Sequence, residues 1–132
     1  MTSKNLGKRA EDFAYHYLKN QGLSPITRNY TCRFGEIDLI MRDKHTLVFI
    51  EVRYRQNLRF GHSVETVHLA KQLKLIKTAE YYLLYNTLSE GASCRFDVFA
   101  ISPPEKSITV KKLNTSQHYP AQVEWVKNAF SR

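Results

Sequence analysis

Two stretches decide the fold: Gly35-Glu36-Ile37-Asp38-Leu39-Ile40-Met41 and Leu47-Val48-Phe49-Ile50-Glu51-Val52-Arg53-Tyr54. Both are short, dense in aliphatic and β-branched residues, and bounded by polar segments, which predicts strands over Glu36 to Met41 and Leu47 to Tyr54. The segment between them, Arg42-Asp43-Lys44-His45-Thr46, is short and polar, so the strands are expected to close as a hairpin. Side chains alternate faces along a strand, which groups Asp38 with Glu36 and Ile40, and Glu51 with Phe49 and Arg53. If Asp43 to Thr46 form the loop, Arg42 pairs with Leu47. Counting back then sets Asp38 opposite Glu51 and Glu36 opposite Arg53. Opposed side chains in such a pair have Cβ atoms about 4.5–5.5 Å apart. Two carboxylates held that close in an apolar hairpin repel each other, and desolvation adds to the cost. A divalent cation relieves both, because hard cations take carboxylate oxygens as ligands. A register slipped by two residues instead puts Asp38 opposite Arg53, an ordinary cross-strand ion pair, and leaves Glu51 as a strand-end charge. Both registers are open at this point.

Outward from the hairpin, Ser3 to Gln21 reads as a helix stopped by Gly22. Its apolar stripe is Leu6, Ala10, Phe13, Ala14, Tyr17 and Leu18, with Glu11 at the stripe's edge and Lys8, Asp12 and Lys19 on the wet side. Ile26 to Thr31, after Pro25, can form a further strand. A loop with Gly61 and His62 leads to a long helix, Val64 to Tyr85, expected to bury Leu69, Leu73, Ile76, Ala79, Tyr82 and Leu83. Arg95 to Ile101 reads as a central strand and Ser107 to Leu113 as a fifth, with Pro103-Pro104 punctuating the turn. Ala121 to Phe130 reads as a short closing helix. The expected class is therefore α/β: a central mixed five-stranded sheet flanked by helices, in α-β-β-β-α-β-β-α order, as a single domain over 1–132. Apolar residues on both faces of the hairpin strands imply helices on both sides.

The 132 residues carry a formal net charge of +8, which favours an anionic partner, nucleic acid above all. No apolar run is long enough to span a bilayer, and Met1-Thr2-Ser3-Lys4-Asn5 lacks the apolar core of a signal peptide, so a cytoplasmic protein without membrane contact is expected. Cys32 and Cys94 are too few for a disulfide scaffold or zinc cage and read as small packing residues. The five histidines show no metal-ligand spacing.

The order and spacing of Leu6-Gly7 with Glu11, Asn29-Tyr30, Gly35-Glu36-Ile37-Asp38-Leu39-Ile40, Val48-Phe49-Ile50-Glu51-Val52-Arg53-Tyr54-Arg55, Lys71 and Arg95-Phe96-Asp97-Val98 resemble the YraN-like family of small bacterial proteins. That family falls within the restriction-endonuclease-like, PD-(D/E)XK, superfamily and is similar to archaeal Holliday-junction resolvases. The resemblance runs from Leu6 to Phe130. It implies the restriction-endonuclease-like fold and an endonuclease activity dependent on Mg2+ or Mn2+, acting on DNA that is branched or otherwise structured. It places Asp38 and Glu51 as metal ligands and Glu11 as an outer ligand or water-positioning group; by itself Glu11 reads first as a flanking helix charge. In that superfamily the metal polarises the scissile phosphate, lowers the pKa of a water and stabilises the departing oxygen. The chain departs from the pattern at Arg53, where a lysine is the rule. A guanidinium can grip a phosphate but cannot act as a base near neutral pH. Lys71 or Lys74, on the long helix, is a candidate for the missing ammonium, or else part of a solvated face. Asp97, in an apolar strand, reads as a structural partner of an arginine. Arg28, Arg33, Arg42, Arg53, Arg55 and Arg59, interleaved with Tyr30, Phe34, Tyr54 and Phe60, suggest a phosphate-and-stacking surface, Arg28, Arg33, Arg55 and Arg59 being its DNA contacts. A homodimer fits this picture. The alternatives are a nucleic-acid-binding module that keeps the fold without turnover, and a domain whose basic face takes an acidic protein.

Overall fold

A computed structural model of the chain describes residues 3–55, 67–86, 93–103 and 122–132, with side chains from Gly7 onward. Helix α1 spans Ser3–Asn20, and strands β1, β2 and β3 span Ser24–Cys32, Gly35–Asp43 and Thr46–Tyr54. Helix α2 covers Leu69–Tyr85, followed by β4 at Ser93–Ser102 and β5 at Gln122–Phe130.

The five strands form one sheet in the order β1-β2-β3-β4-β5. All neighbours are antiparallel except β3 and β4. A parallel pair needs a crossover, and α2 lies on that connection. Each face carries its own apolar core. On one, Ala10, Ala14 and Leu18 of α1 meet Leu39, Met41, Val48, Ile50, Phe99 and Ile101; on the other, Leu75, Ala79 and Tyr82 of α2 meet Ile37, Ile40, Leu47, Phe49 and Phe96. Strand β3 sends Val48 and Ile50 one way and Leu47 and Phe49 the other, so its centre is buried on both sides. Among the described residues the architecture is α/β with a mixed five-stranded sheet between two helices, consistent with a restriction-endonuclease-like fold.

Helix α1 ends as its sequence indicates. Gly22 adopts φ +104°, its amide donates to the Lys19 carbonyl at 3.1 Å, and the Leu23 amide donates to the Leu18 carbonyl at 3.1 Å. This is a Schellman closure, completed by burial of Leu18 and Leu23 in the same core. Along the rest of the helix, Lys8 and Lys19 are exposed, whereas Asp12 is half-buried and accepts an ion-pair hydrogen bond from Arg28.

Three expectations are corrected. Gln122–Phe130 is the fifth strand, not a closing helix. Val123, Val126 and Phe130 mimic helical spacing, but Val123 and Trp125 pack as alternate strand residues against the α1-side core, and β5 pairs with β4 from Ser102↔Gln122 to Phe96↔Phe130. The second helix starts at Leu69; Val67 and His68, read as helical, are not. Its buried face is also rotated: Leu75 and Thr78 are inside, while Leu69 and Leu73 are 68% and 52% exposed. The helix holds more apolar residues than one face can bury, so periodicity alone allowed two stripes sharing Ile76, Ala79, Tyr82 and Leu83. The expected strand Ser107–Leu113, the Gly61-His62 loop, Phe60 and Arg59 lie outside the described residues.

Candidate metal centre

The β2–β3 hairpin closes through Lys44-His45, and its register runs from Asp43↔Thr46 through Arg42↔Leu47 to Leu39↔Ile50. There the ladder stops, although both strands continue. Strand β2 stays with β1 down to Cys32↔Gly35, and β3 stays with β4 up to Tyr54↔Ile101. Asp38 is the first residue beyond the fork. Its Oδ2 accepts the Val52 amide at 2.8 Å, a donor that has lost its place in the ladder.

Strand β1 is irregular at the same level. Asn29, between Arg28↔Leu39 and Tyr30↔Ile37, has φ +53° and is passed over in the pairing. Strand β2 breaks alternation here too, since Leu39 enters the α1-side core and Ile37 the α2-side core. The Asn29 side chain hydrogen-bonds Glu11 of α1. Carboxylate oxygens of Glu11, Glu36 and Asp38 thereby lie within 4.8 Å of one another. Glu36 is exposed and the other two are half-buried. Thr31 Oγ1 steadies Glu36, donating to its Oε2 at 3.2 Å.

Burial, and then the negative charge of Glu51, push the Asp38 carboxyl up to about 8; Glu11 adds to this and the Val52 amide opposes it. A side-chain hydrogen bond between Asp38 and Glu51 raises it slightly further. Burial also raises Glu11, against the Asn29 hydrogen bond and Arg28, with Glu36 and Asp12 adding to the rise.

Glu51 sits on the α2-facing side of β3 and is 9% exposed. Arg53 Nε lies 3.6 Å and Lys71 Nζ 3.8 Å from Glu51 Oε2. Both separations exceed hydrogen-bond length, so the cations offset charge without occupying the oxygen's lone pairs. Arg53 Nε is itself buried without a hydrogen-bond partner. Its burial lowers the guanidinium pKa, with Glu51 opposing. Lys71 is the lysine near Glu51; Lys74 instead sets its Cβ beside Gly35.

The structure thus brings Glu11, Asp38, Glu51, Arg53 and Lys71 to one fork in the sheet. Neither the direct pairing of Asp38 with Glu51 nor that of Glu36 with Arg53 forms, because the ladder ends at Leu39↔Ile50; Asp38 and Glu51 meet instead just beyond its end. Glu36 joins the carboxylates instead, a role not assigned to it from sequence. Its position two residues before Asp38 was the available signal. Asn29 was likewise passed over, although asparagine tolerates the left-handed conformation better than most residues.

The arginines scatter. Arg28 pairs with Asp12 and lies 4.9 Å over the Tyr15 ring on the α1 side; Arg33 lies 4.9 Å over Phe34 at the β1–β2 turn. Arg55 continues the β3–β4 bonding through its amide to Ile101 O at 2.8 Å, with Nε buried and lacking a partner. Tyr30 meets Tyr82 edge-on at 5.1 Å, and Tyr54 packs on the α1-side core. Asp97 is fully buried away from this cluster. It accepts Arg95 Nε at 3.0 Å, Trp125 Nε1 at 3.0 Å and the Asn128 amide at 2.9 Å, bridging the irregularity where β5 shifts register against β4.

Comparison with known proteins completes the picture. A model described as "Uncharacterised protein family UPF0102" matches residues 10–101, a span holding all six side chains of the fork. A UPF0102 protein of Psychromonas ingrahamii is 48% identical over 128 residues, covering 97% of this chain and 91% of the relative. One from Vibrio cholerae is 43% identical over 132 residues, with 99% and 96% coverage. One from Nitrosococcus oceani is 42% identical over 129 residues, with 98% and 94% coverage.

Proposed function

The chain belongs to the uncharacterised protein family UPF0102, the YraN-like family, and from its site we propose a metal-dependent nuclease that hydrolyses phosphodiester bonds in DNA. The observation carrying this reading is the convergence of Glu11, Glu36 and Asp38, within 4.8 Å, on a fork that also holds Glu51. The donor set fits a hard divalent cation, Mg2+ or Mn2+: all the ligand atoms are carboxylate oxygens, and no histidine or cysteine joins the cluster among the described residues. Asp38 fits as well, since a carboxyl that keeps its proton to about pH 8 is stabilised when a cation takes that proton's place.

When bound, such a cation supplies polarisation of a phosphate oxygen and acidification of water. The protein's own groups frame that chemistry. Asp38 and Glu51 would hold the cation, Asp38 being fixed by the Val52 amide. Glu36 closes the exposed side, and Glu11, held by Asn29, orients water or accepts its proton. Arg53 offers its guanidinium N–H groups to a phosphate oxygen. Lys71, 44% exposed at the edge of the fork, supplies the ammonium that Arg53 cannot be.

A second reading rests on Arg53 itself: with a cation unable to exchange a proton, the site binds nucleic acid without turning it over. Incubation of the protein with branched and linear DNA and Mg2+ or Mn2+ separates the two. Cleavage that is lost in Asp38→Asn and Glu51→Gln supports the nuclease. Salt-sensitive binding that persists in a chelator, with no cleavage of any structure, supports the binding module. Neither activity leaves an acidic protein as the partner of the basic face.

A further inference from the structure

Away from the carboxylates, the β1–β2 turn and the outer side of α2 enclose an open groove of about 380 Å³ lined by Arg33, Phe34, Lys77, Glu80, Tyr81 and Tyr85. Its lining combines three aromatic rings and Leu84 with two cations and one carboxylate, Glu80. Phe34 meets Tyr81 edge-on at 5.9 Å, and Tyr81 meets Tyr85 at 4.7 Å. Arg33 lies 4.9 Å and Lys77 Nζ 5.8 Å from the Phe34 ring centroid. Tyr85 is 65% exposed. Arg33 and Lys77 are both exposed, and among the described residues neither forms an ion pair with a carboxylate.

The platform is built, not incidental. Gly35 has φ +152°, and a Cβ there would come within 3.1 Å of Thr78 Oγ1. Thr78 is fully buried. The turn therefore presses directly on α2 and fixes Phe34 against Tyr81. The same turn leads into the carboxylate fork, because Glu36 follows Gly35. Along α2 the groove starts near Lys77 and ends at Tyr85, while Lys71 stands at the fork; Lys71 and Tyr81 are about 15 Å apart along the axis.

We propose that this groove holds an unpaired stretch of DNA leading away from the carboxylate fork, with Tyr81, Tyr85 and Phe34 stacking bases and Arg33 and Lys77 contacting its phosphates. One exposed and two half-buried rings beside cations match the chemistry of single strands, which present base faces and a charged backbone together. Paired bases keep their faces within the duplex, so a duplex offers these rings nothing to stack on. The inference deepens the nuclease reading and rests on it for the path of the strand: the substrate has an unpaired segment next to the scissile bond.

The test uses the full chain in a chelator, so that binding is read without the metal. A labelled twelve-residue oligothymidylate and a duplex of equal length are titrated by fluorescence anisotropy. The expected result is that the single strand binds more tightly, and that Tyr81→Ala and Tyr85→Ala each weaken it about 5- to 100-fold while barely changing duplex binding. Tyr81→Phe, which keeps the ring, is expected to bind as the parent does, separating stacking from a folding defect. Arg33→Ala is expected to flatten the salt dependence by about one phosphate contact, roughly 0.7 in logarithmic slope. Unchanged oligothymidylate binding in both Tyr81→Ala and Tyr85→Ala overturns the proposal, as does equal loss in Tyr81→Phe. The nuclease reading fails separately: if Asp38→Asn still cleaves, the fork is not the active site, whatever the groove binds.

Discussion

Asp38 is where the account is most exposed to measurement. Its carboxyl is pushed up to about 8 from its ordinary value of 3.8, chiefly by burial and then by Glu51. The folded state therefore holds a proton between those pH values that the unfolded chain releases, and stability falls as pH rises across that window. Asp38→Asn removes the titration yet keeps an oxygen for the Val52 amide. Without metal, the variant is expected to be more stable than the parent at pH 8 by about 1 kcal/mol or more, roughly 3–5 °C in Tm, with the advantage vanishing near pH 4. Calorimetric melts across that range check it. Asp97 gives the contrasting case of a buried carboxylate with a full set of donors. Asp97→Ala, which strands Arg95 and Trp125, is expected to cost about 3–5 kcal/mol in urea melts without altering metal affinity. Sequence alone set the register through the polar loop length as far as Leu39↔Ile50, and Asp38 and Glu51 meet beyond that pair without being paired in the ladder. It did not bring Glu36 into the cluster, because that depends on where the ladder stops, and nothing local in Leu39 or Ile50 marks the last pair.

At the scale of elements, the turn at Gly35 couples hairpin to helix. Gly35→Ala combines an unfavourable φ with a 3.1 Å approach to Thr78 Oγ1, so a loss of about 1–3 kcal/mol is expected. A matching drop in oligothymidylate binding is expected as Phe34 shifts off Tyr81; chemical denaturation and anisotropy on the same variant check both. Helix α1 was legible down to its last turn, because Ala10, Ala14, Leu18 and Gly22 all point to one answer. Strand β5 was not. Its Val123, Val126 and Phe130 satisfy a helical repeat, and only the neighbouring edge of β4 makes Val123 and Trp125 a strand face. Helix α2 was found, but its buried side was set by the sheet beneath it, since two apolar stripes competed.

Among the described residues the chain is a sheet with a helix packed on each face and a division between β2 and β3. Among the described residues no helix is long and apolar enough to cross a membrane. The excess of eight positive charges gives it an attraction for polyanions that salt should weaken. The central claim is that the fork between β2 and β3 holds a divalent cation. A calorimetric titration of Mn2+ into the metal-free protein at pH 7, repeated in buffers of different ionisation enthalpy, reads it directly. The expected result is one ion per chain, bound with release of close to one proton and abolished by Asp38→Asn. Binding that is absent at millimolar Mn2+, or equally strong in the variant, contradicts it.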